Sequence, residues 1–120
     1  MIDVVRVLHL VKRYSTLPDK YMENCTPVVA VACSQCTNRL RKPEYADEPA
    51  VLEAAAALSL YRLALRSEEC RTAATSFSAG DVSESYSPSQ LLQNAAYLRD
   101  DAFVVASPFF RDTDFLFLQV

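Results

Sequence analysis

The side chains with the most distinctive chemical potential are four cysteines: Cys25, Cys33, Cys36 and Cys70. Cys33 and Cys36 form a Cys-x-x-Cys pattern, and on a helix this spacing places both thiols on one face. A zinc site generally uses two such pairs, and the chain has no second one. A redox pair usually opens a helix, whereas this pair falls mid-helix on an apolar stripe with Val29 and Leu40. We expect reduced core thiols, and keep a cysteine-dependent metal-binding or redox protein as an alternative.

Other candidate catalytic and metal-binding groups are isolated. His9 is the sole histidine and lies on the polar side of the first predicted helix, without a nucleophile or carboxylate placed as its partner. The acidic pairs at positions 100–101 and 112/114 lack the glycine and the ligand spacing of a calcium loop. Gly80 is the only glycine, so a glycine-rich phosphate loop cannot form. We therefore expect no catalytic residue, no metal and no cofactor.

Composition favours one helical domain over residues 1–120. The chain is 51% hydrophobic with a single glycine, which suits helices better than a turn-rich β-sandwich. Its net charge of −3 argues against nucleic-acid binding, which needs a clustered basic patch. Charged side chains interrupt the N-terminal apolar run, so we expect no secretory signal. The longest apolar segment is shorter than a membrane span, so we expect a soluble protein that does not bind membranes.

The central element predicted from the sequence is a helix over residues 48–66. Asp47 stands at the predicted N-cap, Glu48 in the first turn and Pro49 at a position that favours a helix start. The helix is apolar around most of its circumference, so we expect other helices or another subunit to cover it. Its polar residues form one narrow stripe expected to face solvent: Ser59, Arg62 and Arg66.

Three further helices are predicted, over residues 2–14, 27–40 and 88–105. Thr26-Pro27 predicts the start of the second helix, and Pro43 ends it. A capping box from Ser87 to Gln90 starts the last helix. The expected buried stripe of that helix is Leu91, Ala95, Leu98, Ala102 and Val105. The predicted fold is thus a small bundle of about four helices.

Two segments depart from the helical period. Residues 73–86 are rich in serine and threonine and predict a projecting loop or an irregular β-hairpin. The tail, residues 109–120, contains four of the six phenylalanines. A tail this apolar is expected to pack on its own bundle or on a neighbouring molecule.

Residues 76–87, Ser-Phe-Ser-Ala-Gly-Asp-Val-Ser-Glu-Ser-Tyr-Ser, resemble a segment of tailed-phage head–tail connector (adaptor) proteins, Ser-x-x-x-Gly-Asp-x-Ser-x-Ser-Tyr. In that family the segment follows an alanine-rich helix with a Leu-Tyr-Arg-like end and precedes a further helix. Residues 54–65, with Leu60-Tyr61-Arg62, and the helix from Pro88 occupy those places here. The resemblance covers roughly residues 26–105. The N-terminal part departs from the family, because it has a basic segment and the Cys-x-x-Cys pattern.

The resemblance implies a helical, non-enzymatic subunit of a virion or prophage, found in the particle or in the bacterial cytoplasm. It implies a ring of about a dozen copies between portal and tail proteins, and ring contacts join two different surfaces of each subunit. The loop and the tail are the candidate partner interface: Phe77, Gly80, Asp81, Val82, Tyr86, Phe109, Phe110, Phe115 and Phe117. A bacterial helical protein-interaction module unrelated to phage is a further alternative.

Overall fold

Four α-helices make up most of the computed structural model, which describes residues 1–15, 22, 24–75 and 88–111, without the side chains of 67–75 and 88–89. The helices are α1 (Val4–Tyr14), α2 (Cys25–Asn38), α3 (Pro49–Thr75) and α4 (Pro88–Ala106). Short 3₁₀ helices cover Pro43–Asp47 and Ser107–Phe109. The prediction of a mainly helical, four-helix bundle is confirmed. No helix among the described residues has the length and apolarity needed to cross a bilayer.

Helix α3 is the centre of the bundle and packs against α1, α2 and α4. The alanines at 54–57 are all buried, so the neighbouring backbones approach α3 closely. Pro49 is the first helical residue, one residue after the predicted start at 48. The carbonyl of Glu48 accepts the N–H groups of Val51 and Leu52 at 3.0 Å each, which places Glu48 at the N-cap. The N-cap predicted at Asp47 is therefore one residue early, because Asp47 ends the preceding 3₁₀ helix.

The predicted solvent stripe of α3 is wrong at Ser59, which is completely buried. Its hydroxyl donates to the carbonyl of Ala55 at 2.8 Å, so the helix backbone itself satisfies the polar group. Arg62 and Arg66 are half-buried. Burial lowers the pKa of Arg62, because desolvation disfavours its charged form. Pro49 and Glu53 are the exposed residues of the first half of the helix.

The structure extends α3 to Thr75, nine residues beyond the predicted end at 66 and into the predicted loop at 73–86. The apolar period does break after Arg66, but the following residues include Glu, Arg and Ala, which have high helix propensity. No proline or glycine lies between Arg66 and Gly80. Helix-forming residues therefore continue a helix whose apolar pattern has ended. The rest of the predicted loop, residues 76–86, lies outside the described residues.

Helix α2 begins at Cys25 and ends at Asn38, so both predicted ends are displaced by two residues. Asn24 precedes it in the left-handed conformation, with φ of 58°, which asparagine tolerates better than most residues. Pro27 lies in the first turn, where the missing N–H has no intrahelical acceptor in any case. The predicted stripe of α2 is buried: Val29, Cys33, Cys36 and Leu40.

The N-terminus of α1 is capped by Asp3, whose carboxylate accepts the N–H groups of Val5 and Arg6. Just before it, Ile2 is buried and its N–H donates to Thr37 Oγ1 at 3.1 Å. The Thr37 hydroxyl in turn donates to the carbonyl of Cys33 at 2.7 Å. The start of α1 is thereby attached to the last turns of α2.

Two short segments, residues 39–41 and 109–111, close the bundle, and we call them the C-terminal clasp. Leu40 and Phe110 form an antiparallel bridge. The Arg41 N–H donates to the Phe109 carbonyl at 2.9 Å, and the Arg111 N–H donates to the Arg39 carbonyl at 2.8 Å. The Arg41 guanidinium donates from Nε to the Phe110 carbonyl at 2.9 Å. The chain after α4 is therefore bound to the end of α2.

Both phenylalanines of the clasp pack inside the protomer. Phe110 is 1% exposed, and its ring centroid lies 5.5 Å from that of Phe103 on α4. Phe109 is half-buried and contacts Tyr45 edge to face, with centroids 5.1 Å apart. The start of the predicted tail thus belongs to the core, while residues 112–120 lie outside the described part of the chain.

We expect Phe110→Ala to lower the free energy of unfolding by about 3–5 kcal/mol, because it leaves a cavity where a large ring is fully buried. Urea unfolding followed by circular dichroism measures the change. Val104→Ala on the exposed side of α4 is the control, with an expected change below about 0.5 kcal/mol. A loss below about 1 kcal/mol for Phe110→Ala would show that the clasp is not part of the core.

Candidate functional site

Of the residues predicted to face a partner, the structure describes Phe109 and Phe110. Both pack within their own chain: Phe110 is buried and Phe109 is half-buried, so their contact with a partner stays a prediction. The remaining predicted interface residues lie outside the described residues: Phe77, Gly80, Asp81, Val82, Tyr86, Phe115 and Phe117. Four large exposed apolar residues of the described chain lie elsewhere, on α4.

Helix α4 turns a different face to the core from the one predicted. Its buried residues are Arg99, Phe103 and Ala106. Leu98 and Val105, predicted to be buried, are 41% and 59% exposed. The observed buried face is displaced by one residue along the sequence, a rotation of about 100° on a helix of 3.6 residues per turn.

Arg99, which lies outside the predicted buried stripe, is part of the observed buried face. Its guanidinium carbon lies 4.2 Å from the ring centroid of buried Tyr61 on α3, a cation–π contact. Nε and Nη2 donate to Asp100 Oδ1 at 3.0 and 2.9 Å. A flat guanidinium that stacks on an aromatic ring and pairs with a carboxylate can be buried where an ammonium group would not fit as well.

The rotation leaves an apolar surface on α4, which we call the α4 face. It comprises Tyr97, Leu98, Asp101, Val104 and Val105, all of them exposed. Tyr97 is 62% and Val104 is 71% exposed. Residues 97, 101 and 104 repeat at helical spacing, and 98 and 105 adjoin them, so the set forms one continuous surface. A continuous exposed apolar surface, unlike scattered single residues, is typical of an interaction site.

A groove of about 440 Å³ borders the α4 face and lies between α1, α3 and α4. We call it the acidic groove. Its walls are mainly apolar, and two carboxylates, Glu53 and Asp101, belong to its lining. The Tyr14 hydroxyl donates to Glu53 Oε1 at 3.2 Å across the α1 side. The other lining residues are Ala50, Ala57, Leu98, Ala102 and Val105. A concave, mostly apolar site with a few polar groups is typical of binding.

A second groove, of about 390 Å³, contains His9 and lies between α1 and the start of α3. Its lining residues are Arg6, His9, Leu10, Pro49, Leu52 and Glu53; the Glu53 carboxylate shares the groove with His9, and none of the six carries a hydroxyl or a thiol. Arg6 and Asp47 form an exposed ion pair at 3.7 Å, which contributes little to stability. His9 is exposed and the groove provides no group for it to activate.

The cysteines Cys25, Cys33 and Cys36 are free thiols buried in the core, while the side chain of Cys70 is not described. Burial, with a smaller effect of Asp3, raises the pKa of Cys33 to about 11. Burial and the neighbouring Cys33 raise the pKa of Cys36 to about 12, against an opposing effect of Arg62. Metal binding and nucleophilic attack require the thiolate, which these surroundings disfavour. Among the described side chains, no group of three could hold a metal ion.

Comparison with known proteins identifies no relative: no family model, curated protein or solved structure matches the chain.

The raised thiol pKa values predict a stability loss at alkaline pH. Unfolded thiols ionise near pH 9.0, whereas the pKa of Cys36 is raised to about 12 and the native thiol retains its proton to that pH. The native state therefore binds more protons above pH 9, and the free energy of unfolding falls there. We expect the slope between pH 9 and 11 to be shallower in Cys36→Ala, by about 1.4 kcal/mol per pH unit.

Urea titrations of both proteins at pH 7, 9, 10 and 11 measure these slopes. Lysine and tyrosine side chains titrate in the same range, but they are common to the two proteins and cancel in the difference. Below pH 9 the two curves should be parallel, because the thiol is protonated in both states. Curves that stay parallel to pH 11 would contradict burial of the Cys36 thiol.

Proposed function

We propose that this chain is a structural subunit of a phage or prophage particle, a head–tail connector (adaptor) that joins portal and tail. It forms a ring of identical copies, and its partners are further copies of itself, the portal protein and tail proteins. It works in the virion, or in the bacterial cytoplasm before assembly. It catalyses no reaction and uses no cofactor.

The observation that carries the proposal is the exposed α4 face together with the acidic groove beside it. Exposed apolar area is costly in water, at about 25 cal/mol per Å² that a partner could bury. Tyr97, Leu98, Val104 and Val105 occupy adjacent positions of one helix and stay exposed while the core beneath them is filled. In a subunit that functions within an assembly, neighbouring molecules bury such a surface.

The arrangement of α3 and α4 also supports the proposal. The segment that resembles the connector family, residues 76–87, connects these two helices, and they pack against each other more extensively than any other pair of described helices. Tyr61, from the Leu-Tyr-Arg run, contributes directly through its contact with Arg99. The resemblance implies one helix before and one helix after the serine-rich segment, and α3 and α4 occupy those places.

The chemistry of the described polar groups fits assembly better than catalysis. Cys33 and Cys36 are buried and their pKa values are raised, which suits packing. His9 lines a groove in which no residue carries a hydroxyl or a thiol. Buried Arg99 contacts Tyr61 on α3 and pairs with the exposed Asp100 on α4, so its guanidinium joins two helices.

We expect the purified protein to associate as its concentration rises and to form closed annular particles. Size-exclusion chromatography with light scattering gives the mass, and negative-stain electron microscopy gives the shape. A version truncated after Arg111 retains the C-terminal clasp, so it tests residues 112–120 without opening the core. The apolar tail is a candidate contact, and we expect the truncated protein to form fewer or smaller rings.

Binding to the portal protein encoded in the same genome is the companion measurement. Connector function predicts a stable complex with the assembled portal, even if free subunits associate weakly. A protein that stays monomeric at every concentration and does not bind the portal would refute the proposed function. Val31→Asp adds a charge at an exposed position of α2, so any charge-adding variant is compared with it to separate a local effect from a general effect of charge.

A further inference from the structure

We propose that neighbouring copies join through two different surfaces, with the acidic groove and α4 face of one copy receiving the outer face of α1 from the next copy. This inference rests on the proposed function, because it assigns the contact that would build the ring. The contact is heterologous, so each copy has one receiving and one inserting surface, and repetition closes a ring or extends a filament.

The receiving surface combines apolar area with negative charge. Leu98, Ala102 and Val105 line the groove, and Asp101 and Glu53 carry its charge. Asp101 is exposed at the junction of the groove and the α4 face. The one cation of this part of α4, Arg99, is buried over Tyr61 and pairs with Asp100, so it does not offset the charge of Asp101. The occupant that fits is an amphipathic helix with basic side chains.

The outer face of α1 has this chemistry. Helix α1 contains Arg6, Lys12 and Arg13 and no acidic residue. Val5, His9 and Lys12 follow one another at i, i+4 and i+7, and all three are exposed. The spacing places them on one line along the helix, directed away from the buried Val7 and Val11. Lysine and arginine stems can cover apolar surface while their charged ends reach carboxylates.

Charge disfavours two other segments of the chain, residues 112–120 and residues 76–87, as occupants of the groove. Residues 112–120 are apolar but carry Asp112 and Asp114 with no cation. Residues 76–87 carry Asp81 and Glu84, also with no cation. Either segment would bring two negative charges to a site that already holds Glu53 and Asp101. Like charges in a partly dry contact repel, whereas the outer face of α1 brings positive charge.

The same charge argument excludes a two-fold contact between two α4 faces. Such a contact would bring Asp101 of one copy towards Asp101 of its partner and leave the cations of α1 unused. A contact between α1 and α4 faces pairs opposite charges at every junction. Because exposed charges are screened by salt, we expect association to weaken as ionic strength rises.

The first test removes the apolar part of the receiving surface. Val105→Asp should reduce self-association at least tenfold, because it places an unpaired charge within the apolar contact. Val31→Asp is the matched control, since it makes the same substitution on α2 at similar exposure, 54% against 59%. It should associate like the unaltered chain. Circular dichroism melts establish that both variants fold, and light scattering across a concentration series measures association.

The second test uses charge exchange. Asp101→Arg and Lys12→Glu should each weaken association about tenfold, because each turns an attraction into a repulsion. The protein carrying both changes should recover most of the loss, since the two charges again have opposite signs. Glu44→Lys, an exposed reversal in the 3₁₀ helix after α2, is the control and should have no effect.

The third test distinguishes two different surfaces from one shared surface. Val105→Asp lacks a receiving surface, and Lys12→Glu with Arg13→Glu lacks an inserting one, so each protein alone should be monomeric. Mixed, they retain one intact surface each and should form a dimer that grows no further. Failure of the mixture to dimerise, although the unaltered chain forms rings, would overturn the proposed contact.

These outcomes separate the inference from the function on which it rests. Rings that persist in Val105→Asp and in Asp101→Arg would overturn the contact and leave the connector function supported. Association that depends on both surfaces but yields open filaments, without portal binding, would support the contact and refute the connector. A chain that neither associates nor binds the portal would refute both.

Discussion

The alanine-rich first half of α3 has no polar side chain between Ala54 and Leu58, so other parts of the protein must cover it on every side. Helices α1, α2 and α4 all pack on it, and its only polar residue in the next turn, Ser59, is satisfied by the backbone. The acidic groove lies over Ala57, in the gap between α1 and α4. The groove is thus a direct result of surrounding one apolar helix with three neighbours.

Proline residues made the helix starts of α3 and α4 predictable, because Pro49 and Pro88 favour the first helical position. The ends were harder to predict. The end of α3 was placed too early because the apolar period stopped, although helix-forming residues continued to Thr75. The start of α2 was missed because Asn24 adopts a left-handed conformation and lets the helix begin before Pro27. The period of apolar residues indicates which side of a helix is buried. Helix propensity and local backbone conformation determine where the helix begins and ends.

The burial of the cysteines could be predicted from the sequence, whereas the buried face of α4 could not. Cys33 and Cys36 share a stripe with apolar neighbours, so their burial could be predicted from one helix alone. The buried face of α4 includes Arg99, which contacts the ring of Tyr61 from another helix. The acidic groove needs side chains from three helices, from Tyr14 to Val105, and no local pattern marks their meeting. A surface made by tertiary packing has no signature in a short stretch of sequence.

The C-terminal clasp has a consequence for how the chain reaches its native state. Its hydrogen bonds join residues 69 and 73 positions apart, from Arg41 to Phe110 and from Arg111 to Asn38. Contacts this distant in sequence require a large loop to close before they contribute any stability. During synthesis, α1, α2 and α3 emerge first, with the space for Phe110 still open. The nascent bundle therefore cannot close over this part of its core until residues 109–111 have been synthesised.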